Sequence, residues 1–200
     1  MKIAIALGFG VCLVLGGCSL FPKPAPPPAR HDFGVPPMRA PVTVEFTVLT
    51  NVTAPPWLDD TEIHYRLDYV DATQVRAYAD NRWVAPPAVL LESRLLASFG
   101  DTDTRVPGPA YRLSVRLLDF EQEFSAPQAA GTRLRVLAEL RDAGNGATVA
   151  RHVFSVSQSG APDAQGAVQG AAGAMQTLVG DLQRWVQAHV ASANARSAAA

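Results

Sequence analysis

The chain has 200 residues, 48% of them hydrophobic, and its 17 basic and 18 acidic residues give a net charge of −1. This balance argues against a nucleic-acid-binding protein, which needs a basic surface to neutralise phosphates. The length and hydrophobic content predict one ordinary globular core, and the two cysteines are too few for a disulfide scaffold.

The N-terminal segment has the layout of a secretory signal. Lys2 precedes an apolar run, Ile3–Leu15, of about a dozen residues, which is too short to span a bilayer as a helix. The run ends in Leu15-Gly16-Gly17-Cys18, which resembles a bacterial lipobox, where the cysteine is diacylated and becomes the new N-terminus. We predict that residues 1–17 are a lipoprotein signal peptide and that Cys18 is the lipid attachment residue. An ordinary secretory signal is the alternative.

Lipidation would leave the mature chain without a free thiol. Cleavage removes Cys12, and the sulfur of Cys18 would be held in a thioether, so we expect neither a disulfide nor a cysteine-based metal site. Several acyl chains make membrane attachment effectively permanent. Because Ser19, and no aspartate, follows the cysteine, the expected location is the outer membrane, facing the periplasm.

A proline-rich segment follows the cysteine. Proline fixes φ and lacks an N–H, so residues 19–30 are expected to extend as polyproline II over roughly 35 Å, at about 3.1 Å per residue. We interpret residues 18–30 as the lipidated cysteine and a tether that holds the folded domain away from the headgroups. A proline-rich ligand for a partner is the alternative.

The first half of the domain is predicted to contain strands. Apolar and polar residues alternate over Val42–Val48 and again over Ile63–Tyr69, which is the period of two of a half-buried strand. A loop over residues 54–60 separates them, and a short strand is expected near Thr73–Tyr78.

The period then changes to that of a helix. Pro86 and Pro87 suit a first helical turn. We predict an amphipathic helix that packs one face on a sheet and ends before Gly100, followed by a loop over Asp101–Pro109. The apolar stripe of this helix has the spacing i, i+3, i+7 and i+11: Ala88, Leu91, Leu95 and Phe99.

Three further strands are predicted at Tyr111–Leu117, Arg133–Arg141 and Thr148–Ser157. The last two flank Gly144-Asn145-Gly146, and Asn-Gly between alternating runs is a strong hairpin signal. The polar positions of these strands carry arginine and glutamate, which fit charge pairs across neighbouring strands.

A long helix is predicted at Pro162–Val190 from apolar residues at three- and four-residue spacing. The tail Ala191–Ala200 is expected to be disordered, which leaves one folded domain at residues 31–190. Four glycines weaken the helix, and their expected use is close approach to the sheet: Gly166, Gly170, Gly173 and Gly180.

The sequence carries no recognisable catalytic or metal-binding motif. The four histidines are scattered, and we interpret His64, on the polar phase of its strand, as an ordinary surface histidine. Glu121 and Glu123 share one strand face; an acid–base pair is conceivable, but a solvated strand end is favoured. We therefore predict that the protein is not an enzyme and needs no cofactor or metal.

One apolar pair lies outside the predicted strands and helices. Trp57-Leu58 sits in a proline-bounded loop ahead of two aspartates. The pair either folds back on the core, which we favour, or forms an exposed anchor for a partner.

A second apolar group conflicts with the alternation of its strand. Leu118, Phe120 and Phe124 fall on the same phase as the outward-facing arginines, so an unbroken strand would expose them. A bulge near Leu117–Leu118 that changes the register is the simpler explanation. The alternative is a surface patch for a partner or for a second copy of the chain.

The order of these segments, over about residues 31–187, resembles the ABC-type transport auxiliary lipoproteins, the group that includes the paraquat-inducible C-type lipoprotein. A departure is Pro86-Pro87, where a single proline is usual. The resemblance rests on the lipobox, the final hairpin and helix, and these segments: Asp32-Phe33-Gly34-Val35-Pro36-Pro37, Ile63-His64-Tyr65-Arg66, Tyr78 with Arg82-Trp83, Pro86 with Leu90, Leu91 and Leu95, and Tyr111-Arg112-Leu113 running to Phe120-Glu121.

This resemblance implies an α+β domain with a mainly antiparallel sheet of about six strands and two helices on one face. It implies structural roles for Tyr65, Arg82 and Trp83, with Trp83 packing before the helix and Arg82 pairing with a carboxylate. It also implies a periplasmic partner, the MCE-domain subunit of an ABC transporter that moves phospholipid or other hydrophobic cargo between membranes. The alternatives are an activator of a peptidoglycan synthase and a lipid-binding carrier.

Overall fold

The computed structural model describes residues 26–35, 46–99 and 108–198. The predicted signal peptide, Cys18, most of the tether, most of the strand predicted at Val42–Val48, and the loop over residues 101–107 lie outside these ranges. The described strands are β1 (Ala29–His31), β2 (Thr47–Thr53), β3 (Glu62–Leu67), β4 (Val75–Trp83), β5 (Ala110–Ala126), β6 (Ala129–Asp142) and β7 (Thr148–Gly160). The helices are α1 (Asp68–Asp71), α2 (Pro87–Phe99) and α3 (Ala164–Ala198), with a 3₁₀ turn at Pro56–Leu58.

The seven described strands form one mixed sheet in the order β1-β4-β3-β5-β6-β7, with β2 also paired to β5. The pairs β1/β4, β2/β5 and β3/β5 are parallel, and the other three are antiparallel. The α+β class is confirmed, but the prediction of a mainly antiparallel sheet with about six strands and two helices is wrong. Alternation indicates which residues face the core and leaves strand direction open; here the crossover through α2 allows β5 to run parallel to β2 and β3.

Strands β2 and β3 lie end to end along one edge of β5. Thr53 is opposite Arg116, and the next described partner on this edge is Tyr65, opposite Gln122. The intervening chain leaves the sheet, forms the 3₁₀ turn and buries Leu58, which is 1% exposed. Strand β5 therefore changes partner in its middle.

The bulge predicted near Leu117–Leu118 lies at this change of partner. The register of β5 against β6 shifts between Leu117 and Asp119. Before the shift the buried residues of β5 have odd numbers, and after it Phe120, Gln122 and Phe124 are buried. The extra residue thus reverses which side chains face the core, as the bulge explanation requires.

Helices α2 and α3 cover one face of the sheet. The predicted stripe of α2 is confirmed, since Leu91 and Leu95 are fully buried, and α2 begins at Pro87 as the proline doublet suggested. Gln183 of α3 donates from Nε2 to the carbonyl of Ser98 in α2, at 3.0 Å. None of the described helices is both long enough and apolar enough to cross a bilayer.

Close approach to the sheet explains Gly170. A Cβ built there would lie 2.5 Å from Oγ1 of Thr132 on β6, too near for any larger residue without movement. At Gly166 the close neighbour is instead Ala161, whose carbonyl oxygen would be 2.1 Å from a Cβ, so that glycine serves the turn into α3. The predicted use is therefore confirmed at Gly170 and differs at Gly166.

Helix α3 extends through Ala198, so the prediction of a disordered tail at Ala191–Ala200 is wrong over most of that range. Val190 is 1% exposed, and the Tyr111 hydroxyl donates to Oδ1 of Asn194 at 2.9 Å. Contacts with the sheet hold the helix as far as Asn194, which composition alone does not indicate.

The tether ends earlier than predicted, because Ala29 and Arg30 belong to β1, which pairs with the end of β4. Phe33 follows and packs edge-on against Trp83 and Phe120, with ring centroids 5.2 and 5.8 Å apart. The domain therefore begins at β1, on the edge of the sheet opposite β7.

Tyr78 makes the stability of the fold sensitive to alkaline pH. Its hydroxyl donates to Oε1 of Gln122 at 2.5 Å, and burial raises the pKa of Tyr78 to about 12. The folded state then holds this proton more tightly than the unfolded state, whose tyrosine pKa is about 10. We expect the stabilising contribution of Tyr78 to the free energy of unfolding to be fully present below about pH 10 and to be lost as the pH rises from about 10 to about 12.

The measurement is urea unfolding between about pH 9 and pH 11. Tyr78→Phe should lose part of the alkaline fall, whereas Tyr69→Phe, at a residue 46% exposed, should keep all of it. The same alkaline fall in Tyr78→Phe as in the wild type would contradict this assignment.

Candidate docking surface

The face of β5, β6 and β7 that points away from α2 and α3 carries most of the charged residues of the sheet, and we call it the outer face. Its register rows run across the three strands: Arg112, Arg141 and Thr148; Ser114, Glu139 and Arg151; Arg116, Leu137 and Val153; Asp119, Arg135 and Ser155; Glu121, Arg133 and Ser157. These rows divide into two regions of different charge.

The first region is a neutralised ion-pair cluster beyond the bulge: Arg66, Asp119, Glu121, Glu123, Arg133 and Arg135. At its centre the side chain of Glu121 is 1% exposed. Nε of Arg66 lies 3.2 Å from both carboxylate oxygens, and Nη2 of Arg133 lies 3.5 Å from one of them. The charge pairs predicted across strands are confirmed here, and Arg135 also pairs with Asp119 at 2.9 Å.

This arrangement corrects the prediction for Glu121 and Glu123. Glu121 is buried between two arginines, so it is not part of a solvated strand end. Burial raises the pKa of Glu123, and its salt bridge to Arg133 opposes that shift. Because arginine stays protonated, both glutamates have fixed ion-pair partners, which is a structural arrangement rather than an acid–base pair.

The second region, which we call the arginine patch, comprises Arg112, Arg116, Arg141 and Arg151. Arg141 bonds Glu139 at 2.8 Å and thereby lowers the pKa of that glutamate. Arg112 and Arg116 are exposed, and no described residue makes an ion pair or hydrogen bond with either. Arg112 also lies directly opposite Arg141, and like charges at such positions destabilise a sheet. With one glutamate among four arginines, the patch carries a net positive charge.

The structure separates the residues predicted to bind a partner. Phe120 and Phe124 are 3% and 7% exposed, so the surface-patch alternative is wrong for them, and Leu118 is half-buried at the bulge. Leu58 is buried in the core, as the favoured interpretation of its loop expected. Trp57 is 40% exposed and remains a candidate anchor.

The three family positions, Tyr65, Arg82 and Trp83, make the following contacts in the structure. Trp83 is 2% exposed just ahead of α2. Nη2 of Arg82 lies 3.5 Å from the Glu62 carboxylate. The ring of Tyr65 packs on Tyr78, with centroids 4.7 Å apart.

A small cavity lies between the sheet and α3, lined by residues that include Phe120, Gln122, Thr132 and Ala171. Its volume is about 10 Å³, which is room for about one water molecule. This space gives no support to a site for a lipid chain.

The alternation of the strands places these arginines on the outward phase but does not by itself reveal the patch. The sequence feature that could have revealed it is the recurrence of arginine at Arg112 and Arg116, with no carboxylate on the same strand phase nearby. Which strands lie beside β5, and in which register, decides whether an arginine is neutralised, and that is a tertiary property.

Comparison with known proteins agrees with this fold. Protein XCC0632 from Xanthomonas campestris is 18% identical, with a TM-score of 0.69, and the alignment covers 83% of this chain and 98% of that one. An uncharacterized protein is 13% identical, with a TM-score of 0.60, over 80% of this chain and 99% of that one. No curated protein matches the chain in sequence.

The family model described as the ABC-type transport auxiliary lipoprotein component matches residues 24–184. This range contains the seven described strands, α1, α2 and most of α3. That description is of a transport component and not of an enzyme, and it agrees with the lipobox at Cys18. The chain belongs to the ABC-type transport auxiliary lipoprotein family.

Proposed function

We propose that this protein is a lipid-anchored periplasmic component of an MCE-type ABC transport system, which moves phospholipid or other hydrophobic cargo between membranes. The observation that carries the proposal is family membership together with the lipobox at Cys18. In this role the protein contributes position rather than reactivity: the acyl chains hold the outer membrane, and the folded domain binds the MCE-domain subunit.

The layout of the domain supports a docking role. The tether joins the sheet at β1, and the arginine patch lies on β5, β6 and β7, toward the opposite edge. The patch is therefore accessible while the anchor holds the other edge. Arginine forks bind carboxylates in two-point contacts, so an acidic surface of the MCE-domain subunit fits this patch.

The test is photo-crosslinking in intact membranes. A crosslinking residue at position 114, between Arg112 and Arg116 on the outer face, should capture the MCE-domain subunit. The same residue at Gln176, exposed on α3 at the other side of the domain, is the matched control and should capture much less.

Reversing the patch charge provides a second measurement. Arg112→Glu combined with Arg116→Glu should lower capture about tenfold, at about 0.5–1 kcal/mol for each exposed contact. Arg196→Glu, on the exposed last turns of α3, should leave capture unchanged. Capture of a penicillin-binding protein in place of an MCE-domain subunit would instead support the activator of peptidoglycan synthesis. Co-purified lipid without a protein partner would support the carrier.

A further inference from the structure

Three potential metal ligands meet where the chain re-enters the sheet after the 3₁₀ turn. Asp60, Glu62 and His64 occupy alternate positions at the start of β3, and one ligand atom from each lies within 4.8 Å of the others. Both carboxylates are 42% exposed at the side chain, whereas the imidazole is 9% exposed. The cluster is therefore open to solvent on its acidic side and closed on its histidine side.

His64 contradicts its prediction as an ordinary surface histidine. It is buried beneath the ring of Trp57, with ring centroids 6.0 Å apart. Neither ring nitrogen makes a hydrogen bond with any described residue. A buried imidazole nitrogen without a hydrogen bond is unfavourable, so these nitrogens are free to bind a ligand or a water molecule.

The spacing of two of the ligand atoms is compatible with a metal ion bound between them. Nε2 of His64 lies 3.3 Å from Oδ1 of Asp60, longer than the roughly 2.7–2.9 Å of a charge-assisted hydrogen bond. Zinc binds nitrogen and oxygen ligands at about 2.0–2.2 Å in a tetrahedron, which places two ligands about 3.3–3.5 Å apart. The Asp60–His64 pair therefore already has the length of a tetrahedral edge.

We propose that Asp60, Glu62 and His64 form a binding site for a divalent first-row metal ion, with Zn²⁺ as the ion that fits best. One imidazole and two carboxylates are a ligand set that zinc accepts, with water at the fourth position. The backbone N–H of Glu62 donates to Oδ1 of Asp60 at 2.7 Å and orients that carboxylate.

The third ligand, Glu62, already forms a weak ion pair with Arg82. Glu62 contacts Arg82 at 3.5 Å, and it must move toward the other two ligands to complete the site. Arg82 would keep its hydrogen bonds to the carbonyls of Tyr78 and Asn81. Moving Glu62 from Arg82 to the metal ion would therefore leave no buried charge unpaired.

Bound metal would join the loop after the 3₁₀ turn to strand β3. Asp60 lies in that loop and His64 lies in the strand, directly beneath the exposed ring of Trp57. The ion would fix the segment that presents Trp57, so its binding should be visible in the fluorescence of that tryptophan as well as in stability.

The test is titration of the full-length protein in detergent with Zn²⁺ alone. We expect one equivalent to bind by calorimetry, the melting temperature to rise by several degrees at saturation, and the tryptophan emission to change. Trp57→Phe should abolish the emission change while keeping the calorimetric binding.

Variants of the ligands distinguish this site from surface binding. Glu62→Gln, at a position whose side chain is 42% exposed, and His64→Asn should each weaken binding at least tenfold. His152→Asn, on exposed β7, is the matched control and should bind like the wild type. Absence of stoichiometric Zn²⁺ binding, or equal affinity in Glu62→Gln and the wild type, would overturn the proposal. Neither result depends on which transport partner the protein binds.

Discussion

Replacing Cys18 by alanine is expected to release the protein from membranes while leaving its domain folded. The acyl chains on this residue are the proposed attachment, and burial of each methylene contributes about 0.8 kcal/mol, so their loss removes nearly all membrane affinity. The domain should be unaffected, because it begins at β1, eleven positions beyond the cysteine. The measurement is membrane fractionation followed by a high-salt wash.

Two further variants make this experiment decisive. Cys12→Ala changes the other cysteine, which lies within the predicted signal peptide, and should leave the protein in the membrane pellet. In Cys18→Ala the apolar signal segment could stay uncleaved and hold the protein in the membrane. A Cys18→Ala variant secreted with an ordinary cleavable signal excludes this explanation. If that secreted variant stayed in the pellet after the wash, attachment through a single lipidated residue would be wrong.

Arg66→Ala is expected to lower the free energy of unfolding by about 3 kcal/mol. Its guanidinium holds the buried carboxylate of Glu121, and removing one partner of a buried ion pair leaves an uncompensated charge. Arg133 is too distant, at 3.5 Å, and too exposed to replace it fully. Nη1 of Arg66 also donates to the carbonyl of Ala72 at 2.7 Å, so the turn after α1 loses a contact as well.

The matched control is Arg135→Ala. That arginine also pairs with a carboxylate across strands, but its side chain is 45% exposed, so the expected cost is below about 1 kcal/mol. Urea unfolding compares the two variants. The double variant Arg66→Met with Glu121→Met should recover most of the loss, since an apolar pair leaves no buried charge. Equal costs for Arg66→Ala and Arg135→Ala would contradict the assignment.

The sequence predicts local features of this fold better than long-range ones. The stripe of α2, the turn at Gly144–Gly146 and strands β6 and β7 were all recognised, because each depends on residues only a few positions apart. The strand predicted over Ile63–Tyr69 is shorter than expected, since β3 ends at Leu67, where α1 begins. The register change in β5 was also inferred, from three apolar residues on the wrong phase. The resemblance to a family added the structural roles of Arg82 and Trp83.

Burial on the outer face could not be predicted in the same way. Glu121 and His64 both lie on polar phases, yet one is enclosed by two arginines and the other by Trp57. Arg66 and Arg133 are 55 and 12 residues away from Glu121 in sequence, and Trp57, which covers His64, lies in a loop without periodicity. Alternation reports which face a side chain occupies and says nothing about what covers that face.

The sequence by itself determined the lipobox, the identity of most strands and both long helices, since signal recognition and amphipathic periodicity are local properties of the chain. Only the tertiary structure decided the direction and order of the strands, the extension of α3 through Ala198 and the division of the outer face into a neutralised cluster and an arginine patch. The physical reason is that charge compensation and edge pairing depend on which strands become neighbours. That choice is made by packing the whole core, in which β5 pairs with β2, β3 and β6 at once.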